Sequence, residues 1–457
     1  MSNVGLHPRP QLSKPTLPID TLWVDVSVVL LIPGYISGIT RTVRKIVECW
    51  AKAPWMKIRY CAVVPEMGIM EVNPHSVFRQ EASSSTAEPA KSSSRFWYLP
   101  WKLRHNLRTY WKDPVSESPS AAQTHQNVPY YPAGSVIGPA NLGSRDLLFS
   151  LGGLWVVPEI IKTFKKAHEQ HDFQFVSLIY DLIPLVTPQF CSPSHVIDTF
   201  VPTTNLQLQS SNVILTISDY SKRDIEDYAK KNLLPIGPVE VFTLGSNISP
   251  HSNSDAVSQR QPVRPFVLSV GTIEVRKNHS GMYQAWRKLV KTMGPDKTPD
   301  LVFAGKPGWH GEQITYLCQN DPLVKDKIII KSHIGDRELD WLYRNCLFTL
   351  YPSLYEGWGL PVEESFIYGK LCVTTNATSL PEVGREFATY IEPEDTDAIV
   401  KGVQLALDES YRRERERIIR ERYRPNTWEQ AAQQLQTILQ SHYTFPVPSV
   451  KGKRKAA

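Results

Sequence analysis

Two kinds of residue pattern alternate along the chain. Short apolar runs, typical of buried strands, are followed by stretches whose apolar residues recur with helical spacing. In the first half, strands are predicted at 22–32, 58–65, 146–151, 173–180, 213–218 and 239–244. In the second half, strands are predicted at 266–271, 301–305, 328–331, 347–352 and 371–375. Strands that alternate with helices predict parallel sheets and an α/β fold.

The helical pattern lies between these runs. It predicts helices at 42–52, 279–291, 336–345, 361–369 and 397–409, and a final helix at 427–443 after the last strand. The polar stretch 246–262 interrupts the alternation and predicts a linker near residue 260. Residues from about 80 to 133 are rich in Ser, Pro, Gln and Ala, which predicts a partly disordered insertion.

A length of 457 residues suggests two or three domains. The predicted parts are a flexible lead at 1–20, an N-terminal domain at 21–260, a C-terminal domain at 262–425, a helix at 426–445 and a basic tail at 446–457. The apolar runs are too short to span a bilayer, which needs about 20 residues. The first residues have no apolar core of the kind found in secretory signals. A soluble, cytoplasmic protein is therefore expected.

Composition and charge exclude several classes. Hydrophobic residues make up 41% and charged residues 21%, as in globular proteins. Most of the net charge of +6 comes from residues 408–457, which contain eleven Lys and Arg against six Asp and Glu. The rest of the chain lacks the broad basic surface that nucleic-acid binding requires. The six cysteines form no CxxC pair, so they predict small buried residues in a reducing compartment.

Two basic segments have alternative interpretations. Residues 96–112 are aromatic, basic and amphipathic, which fits either a helix packed on its domain or contact with a membrane surface or partner. The tail at 446–457 is either a solvated, disordered end or a weak contact with anionic lipid headgroups.

Several common motifs are absent from the sequence. It contains no P-loop, no dinucleotide fingerprint after a strand, no HExxH and no GxSxG. The one DxD triplet, Asp395 to Asp397, begins a predicted helix. Carboxylates at that place cap the helix and favour its positive end. The sequence therefore predicts a helix cap there and no metal site.

The loop after the strand at 266–271 contains adjacent basic residues, Arg276 and Lys277. Loops at the carboxyl ends of parallel strands are where α/β proteins bind ligands. A guanidinium fork beside an ammonium group matches the charge of a diphosphate. On this evidence alone, the alternative is an ordinary solvated basic pair.

A second loop, after the strand at 347–352, contains two carboxylates around a Gly-rich turn. Glu356 lies in the turn, and Glu364 lies about one helical turn further on. The amides of Gly359 and Leu360 at the helix start can bind phosphate oxygens. The carboxylates can accept hydrogen bonds from sugar and ribose hydroxyls. The alternative is a loop cap and a surface helix charge.

Residues 266–407 resemble the C-terminal domain of retaining GT-B glycosyltransferases of group 1, also called glycosyltransferase family 4. The resemblance includes Gly271 followed by Arg276-Lys277-Asn278, the Glu356 and Glu364 pair, and the Leu-Pro-Glu-Val segment at 380–383. The chain departs from the family after that segment, where Gly384-Arg385-Glu386 replaces Gly-Asp-Ala.

The N-terminal half shows a weaker resemblance. Residues 37–41, which include Gly38, resemble the family's Gly-Ile-Gly-Arg loop, with Thr40 in place of the second Gly. Asp181 matches the family's His-Asp segment, in which Tyr180 replaces the His. The alternative role for Asp181 is to cap the loop after a strand. Residues 216–225 resemble its Ser-x-x-Ser segment before a helix. These forms are most similar to bacterial mannosyltransferases and rhamnosyltransferases of surface-polysaccharide and lipopolysaccharide assembly.

The resemblance implies a GT-B fold of two Rossmann-like parallel-sheet domains facing across a cleft, with the final helix crossing back to the first domain. It implies transfer, with retention, from a nucleoside diphosphate sugar to a glycan or polyprenyl-linked acceptor. Mannose or rhamnose is favoured, and peripheral contact with the inner face of the membrane is expected. No cofactor and no metal are expected. The alternatives are a sugar-nucleotide epimerase and a non-catalytic scaffold that binds a nucleotide sugar.

The expected site residues follow from the same motifs. The expected catalytic residues are Asp181, Arg276, Lys277 and Glu356. The expected donor-binding residues are Gly38, Gly271, Thr272, Arg276, Lys277, Ile334, Glu356, Gly359, Leu360 and Glu364. Ile334 is included because the loop after the strand at 328–331 is placed to contact the nucleotide base.

Overall fold

A computed structural model describes most of the chain. The described residues are 17–31, 38–73, 135–191, 193, 196–246, 262–332 and 334–446. The chain divides into two compact units: one comprises 1–151, 159–177 and 432–457, and the other comprises 152–158 and 178–431. The predicted insertion at about 80–133, the segment 96–112 and nearly all of the basic tail lie outside the described residues. The predicted domain boundaries stay predictions.

The elements are numbered in chain order. The strands are β1 Leu17–Pro18, β2 Thr21–Asp25, β3 Ile58–Val64, β4 Gly68–Val72, β5 Val136–Pro139, β6 Asp146–Ser150, β7 Gln174–Leu178, β8 Val213–Thr216, β9 Val239–Val241, β10 Phe266–Val270, β11 Asp300–Ala304, β12 Ile328–Lys331, β13 Thr349–Tyr351, β14 Cys372–Thr375, β15 Thr389–Ile391 and β16 Tyr443–Thr444. The helices are α1 Ser27–Leu31, α2 Gly38–Lys52, α3 Pro158–His171, α4 Ile183–Val186, α5 Val201–Ser210, α6 Asp219–Lys231, α7 His279–Met293, α8 Gly311–Asn320, α9 Asp336–Asn345, α10 Leu360–Ile367, α11 Leu380–Gly384, α12 Thr396–Leu407, α13 Glu409–Arg422 and α14 Trp428–His442.

The first unit is built on strands in the order β5-β4-β3-β2-β6-β7. β2, β3, β6 and β7 are parallel, whereas β4 pairs antiparallel with both β3 and β5. The parallel strands confirm the α/β prediction, but the pattern did not predict β4 and β5. The chain end joins this unit, because β16 pairs with β1 and the Trp50 indole nitrogen donates to the Ala432 carbonyl at 3.4 Å.

The second unit contains a six-stranded sheet in the order β12-β11-β10-β13-β14-β15, with every pairing parallel. Successive residues of its strands are buried on opposite faces. Val267 packs against the α7 and α12 side together with Trp286, whereas Leu268 packs against the α9 side together with Leu342. A strand covered on both faces must be apolar at every position, and this explains the uninterrupted apolar runs of the sequence.

One predicted strand is wrong in its second half. The apolar run at 22–32 forms β2 only as far as Asp25, and α1 follows. The buried Asp25 side chain accepts the Ser27 backbone N–H at 2.9 Å and the Ser27 hydroxyl at 2.5 Å. This Asx turn ends the strand. Helix α2 also begins earlier than predicted, at Gly38, so residues 38–41 are helical and not a loop.

Candidate functional site

The site is built at the carboxyl ends of β10 and β13, which are neighbours at the centre of the six-stranded sheet. The strand order is that of a doubly wound fold, in which the chain fills one half of the sheet from β10 and then restarts at β13. Ligands bind outside the strand ends at such a switch point. The loops that follow β10 and β13 carry Arg276, Lys277 and Glu356.

The loop after β10 has a fixed shape. Gly271 has a φ of +134°, and a Cβ there would lie 3.2 Å from the Lys277 side chain. A short 3₁₀ turn, Val275–Lys277, ends at Asn278 in the left-handed conformation. The Asn278 side chain accepts the Gly281 N–H at 3.1 Å and so caps α7. The fixed loop backbone therefore sets the points from which the Arg276 and Lys277 side chains extend.

Glu356 joins the two loops. Its Oε2 lies 2.6 Å from Arg276 Nη1, and its Oε1 lies 2.8 Å from Lys277 Nζ. Oε1 also accepts hydrogen bonds from the Tyr351 hydroxyl at 2.6 Å and the Ser353 hydroxyl at 2.9 Å. The two cations and the carboxylate predicted from separate motifs therefore form one buried cluster.

The electrostatics of the cluster favour the charged form of Glu356. Burial opposes ionisation, but the attraction of Arg276 and Lys277 outweighs it and holds the pKa of Glu356 well below its usual range. Burial lowers the pKa of Lys277, although Glu356 acts against this shift. The pKa of Arg276 is raised: burial acts to lower it, but the attraction of Glu356 and Glu274 is stronger.

Glu274 is a member of the cluster that the sequence did not predict. Its Oε1 lies 2.6 Å from Arg276 Nη2, so the guanidinium lies between two carboxylates. The same guanidinium also donates to the Tyr355 carbonyl at 2.6 Å. Glu274 lies two residues before Arg276 in the loop after β10, and this position is the sequence signal that could have identified it. Two cations thus face two carboxylates in this cluster.

Asp181 lies beside the Glu356 turn. A Cβ added to Gly357 would come within 2.8 Å of Asp181 Cβ and Oδ2, so only glycine fits at that position. Burial raises the pKa of Asp181, and Arg276 counteracts this. The preceding Tyr180 ring packs on Gly152, where a Cβ would lie 2.6 Å from Cε2. The structure thus brings Asp181 together with the predicted cluster.

The start of α10 contains the other predicted phosphate and ribose contacts. Gly359 has a φ of +122° and lies against Leu380, so a side chain there would be both strained and obstructed. Leu360 begins the helix. Glu364 Oε2 accepts a hydrogen bond from the Tyr343 hydroxyl at 2.6 Å. Glu364 is therefore oriented by α9, the helix that precedes β13.

Three further predicted binding residues have other surroundings. Thr272 is exposed and lies next to Gly308, where a Cβ would be 2.4 Å from its methyl group. Ile334 packs against the apolar cluster under α9. Gly38 is at the exposed start of α2, in the first unit. The donor-binding roles of these residues, and of the other predicted site residues, stay predictions.

The DxD triplet is a helix cap, as predicted. Asp395 is the N-cap of α12, and its side chain accepts the Asp397 N–H at 2.7 Å. Asp397 forms an ion pair with Lys288 on α7. Within the described part of the chain, no cluster of three or more His, Cys, Asp and Glu side chains could hold a metal ion. The predicted absence of a metal requirement stays a prediction.

Two motifs of the resemblance meet in the structure. The Glu382 carboxylate of the Leu-Pro-Glu-Val segment accepts the Asp219 and Tyr220 N–H groups, each at 2.8 Å. These amides begin α6, whose N-cap is Ser218 of the Ser-x-x-Ser segment. Sequence reasoning assigned Glu382 no partner.

The burial of the cysteines and the lengths of the described helices agree with the predictions from the sequence. All six cysteines are free thiols, and five of them are buried. No described helix has both the length and the apolar content needed to cross a bilayer.

Comparison with known proteins shows which families these features resemble. Residues 252–424 match the model for glycosyl transferases group 1. The chain is 28% identical over 245 residues to O-antigen chain mannosyltransferase B of Escherichia coli, a match that covers 52% of this chain and 62% of that protein. It is 29% identical over 247 residues to serotype-specific mannosyltransferase WbdA of E. coli, covering 52% of this chain and 30% of WbdA. The matches thus span less than two thirds of either relative.

Solved structures share the fold over almost the whole chain. Sucrose-phosphate synthase from Thermosynechococcus elongatus matches with a TM-score of 0.58 and 15% identity, covering 92% of this chain and 98% of that one. Anabaena HepE, solved with UDP and glucose, matches with a TM-score of 0.55 and 12% identity, covering 93% and 100%. Residues 252–424 are therefore similar to group 1 glycosyltransferases, and the chain has the GT-B fold.

Proposed function

We propose that this protein transfers a hexose, with mannose or rhamnose favoured, from a nucleoside diphosphate sugar to a glycan or polyprenyl-linked acceptor in surface-polysaccharide assembly. The observation that carries the proposal is the buried cluster of Arg276, Lys277 and Glu356 at the switch point of a Rossmann-like sheet. The mannosyltransferase names of the E. coli relatives support the choice of sugar.

The chemistry of the reaction needs those two cations. Breaking the bond between the anomeric carbon and the diphosphate gives a leaving group with growing negative charge and an oxocarbenium-like sugar. Arg276, Lys277 and the Gly359 and Leu360 amides stabilise the growing charge on the diphosphate. Preorganised donors of this kind contribute about 2.7–4 kcal/mol each in a water-poor site. Their positions are set before the donor arrives, because Glu356 and Glu274 already hold the guanidinium and ammonium groups.

The carboxyl groups have different roles in the proposal. Glu356 orients both cations and faces the transferred sugar. Asp181, beside Gly357, contacts a hydroxyl of the same sugar. Glu364, one turn into α10, accepts hydrogen bonds from the ribose hydroxyls. The acceptor attacks from the face that the diphosphate leaves, so the anomeric configuration is retained.

A thermal-shift panel of GDP-, UDP- and dTDP-sugars identifies the donor, because a ligand that binds only the folded state raises its stability. Product analysis by mass spectrometry and NMR follows, with and without a polyprenyl-linked glycan acceptor. A lengthened glycan with retained configuration supports transfer. An isomerised sugar nucleotide formed without acceptor indicates an epimerase, and binding without turnover indicates a scaffold.

The same assay tests the proposed independence from metal ions. We expect turnover to persist in excess EDTA, because cationic side chains and helix amides take the place of a metal at the diphosphate. Loss of turnover in EDTA, with recovery on adding Mg²⁺ or Mn²⁺, contradicts this expectation.

A further inference from the structure

Hydroxyl side chains on β14 and in the loop after it hold the Glu356 turn. The Thr374 hydroxyl donates to the Tyr351 carbonyl at 2.8 Å, and the Thr375 hydroxyl donates to the Ser353 carbonyl at 2.6 Å. Both threonines are fully buried. Two further hydroxyl residues, Thr378 and Ser379, continue the series along the loop. Hydrogen bonds from β14 and the loop after it therefore hold the backbone between β13 and Glu356 at successive positions.

Thr378 and Ser379 bind the backbone of Glu356 itself. The Glu356 N–H donates to Thr378 Oγ1 at 3.0 Å. The Ser379 hydroxyl lies 2.9 Å from the Glu356 carbonyl and 2.9 Å from the Trp358 carbonyl. Both peptide groups that flank the Glu356 Cα are thus held by hydroxyl side chains. The direction of the Glu356 side chain toward Arg276 and Lys277 depends on that backbone.

Thr378 adopts an unfavourable backbone conformation to make this contact. Its φ is +52°, a region that β-branched residues rarely occupy. Strained residues of this kind persist where the surrounding structure determines them, and they cluster at functional sites. A glycine would adopt the same φ without strain but has no side-chain acceptor for the Glu356 N–H. A side-chain hydroxyl at this position is therefore needed to accept the Glu356 N–H.

We propose that Thr378 and Ser379 are positioning residues for sugar transfer. They fix the backbone of Glu356 and so set its carboxylate between Arg276 and Lys277 before the donor binds. They act through Glu356, so their loss reduces the rate of transfer more than it weakens donor binding. This inference rests on the proposed function, and it also predicts a local change in backbone protection that requires no activity.

The test uses substitutions that distinguish the effect of the hydroxyl group from the effect of side-chain shape. Thr378→Val keeps the branching and removes the acceptor, whereas Thr378→Ser keeps the acceptor and removes the methyl group. Ser379→Ala removes the donor to both carbonyls. Thr292→Val is the matched control, because Thr292 lies near the end of α7 and its hydroxyl bonds only within that helix.

Two measurements are made on the full chain. Hydrogen exchange followed by mass spectrometry reports the protection of the peptide at 352–360, and GDP release from GDP-mannose reports turnover. We expect Thr378→Val and Ser379→Ala to exchange faster at 352–360 and to lose about tenfold in kcat, since a buried donor or acceptor loses its partner. The KM for GDP-mannose should change less than about twofold, as expected for a group that acts in the transition state. Thr378→Ser and Thr292→Val should match the wild type in both measurements.

Unchanged exchange at 352–360 in Thr378→Val overturns the proposal. So does a Thr378→Ser variant as impaired as Thr378→Val, because the methyl group would then be responsible. A rise in KM with constant kcat also contradicts it. If the wild type does not turn over GDP-mannose, another sugar nucleotide from the thermal-shift panel replaces it, and the exchange comparison still decides whether the hydroxyl groups hold the Glu356 turn.

Discussion

At the scale of single residues, the chemistry of the site depends on the two cations that the Glu356 carboxylate contacts. Its two carboxylate oxygens contact different cations, so neither Arg276 nor Lys277 is free to move away from the switch point. In the proposed reaction, a diphosphate that enters the site finds both cations in place. The cost of ordering two long side chains has already been met in the folded protein.

Replacement of Lys277 by Ala should lower turnover about a hundredfold or more, because one preorganised donor to the leaving group contributes about 2.7–4 kcal/mol. Arg276 still pairs with Glu356, so the fold should survive. Single-turnover rates on folded protein measure the effect. Lys325→Ala, an exposed lysine before β12, is the control. A near-normal rate for Lys277→Ala removes this residue from the diphosphate role.

Glu363 is a buried carboxyl group that sequence reasoning did not single out. It is 3% exposed. The Trp358 indole N–H and the Tyr423 hydroxyl approach it at 3.5 and 3.4 Å, which are long distances for hydrogen bonds. Burial raises its pKa from 4.5 to about 7. The group is thus protonated in the folded state at pH values where it is ionised in the unfolded state.

This shift makes the free energy of unfolding depend on pH. Below pH 4.5 the carboxyl is protonated in both states, so its burial carries no charge penalty. As pH rises toward about 7, the unfolded state loses its proton first, and stability falls. Glu363→Gln should therefore be more stable than the wild type at pH 8, by at most about 3 kcal/mol, and similar at pH 4.5. Urea unfolding at both pH values measures this, with the exposed Glu312→Gln as control. An equal difference at the two pH values contradicts the assignment.

At the scale of elements, helix α6 begins on the carboxylate of Glu382. Two consecutive N–H groups of its first turn donate to that side chain, and Ser218 caps a third. The carboxylate satisfies donors that have no partner within the helix and interacts favourably with the helix dipole. A second contact anchors the same helix, because the Tyr355 hydroxyl bonds to Asp224.

Replacement of Glu382 by Ala should lower the free energy of unfolding by about 1–2 kcal/mol, as the loss of a helix cap does. Glu382→Gln keeps an acceptor oxygen and loses the charge, so its effect should be smaller. Denaturant unfolding measures both, with Glu386→Ala as the control because Glu386 is exposed and its carboxylate pairs with the surface residue Arg422. A Glu382→Ala variant as stable as that control shows that the cap is not needed.

Periodicity predicted five of the six strands of the second sheet, because strands buried on both faces are apolar at every position, but it missed β15. It failed at Asp25, where a side chain that bonds to the backbone ended the strand within an apolar run. It also could not predict that Thr378, 22 residues after Glu356, binds the Glu356 backbone. Such contacts depend on which strands become neighbours, and that is a property of the topology and not of local sequence.

At the scale of the whole molecule, the segment between β4 and β5 is inserted into a hairpin. The two strands are antiparallel neighbours, and Val72 pairs with Val136. The Asn73 N–H donates to the Ser135 carbonyl at 2.8 Å, so the chain leaves and returns at adjacent positions. A turn of a few residues can join strands in this geometry. The charged cluster of Arg276, Lys277 and Glu356 belongs to the other compact unit.

We therefore expect a chain in which residues 74–134 are replaced by a short Asn-Gly turn to fold and to bind nucleoside diphosphate with unchanged affinity. The sheet keeps its pairing, because the hydrogen bonds on both sides of the turn remain. Calorimetry with GDP and with UDP measures the affinity, and circular dichroism measures the fold. Lys277→Ala in the shortened chain is the control for specific binding. Loss of nucleotide binding in a folded, shortened chain contradicts this expectation and makes the insertion part of the donor-binding core. Binding that survives while transfer to the acceptor is lost instead assigns residues 74–134 to acceptor recognition, because the donor cluster would then be complete without them.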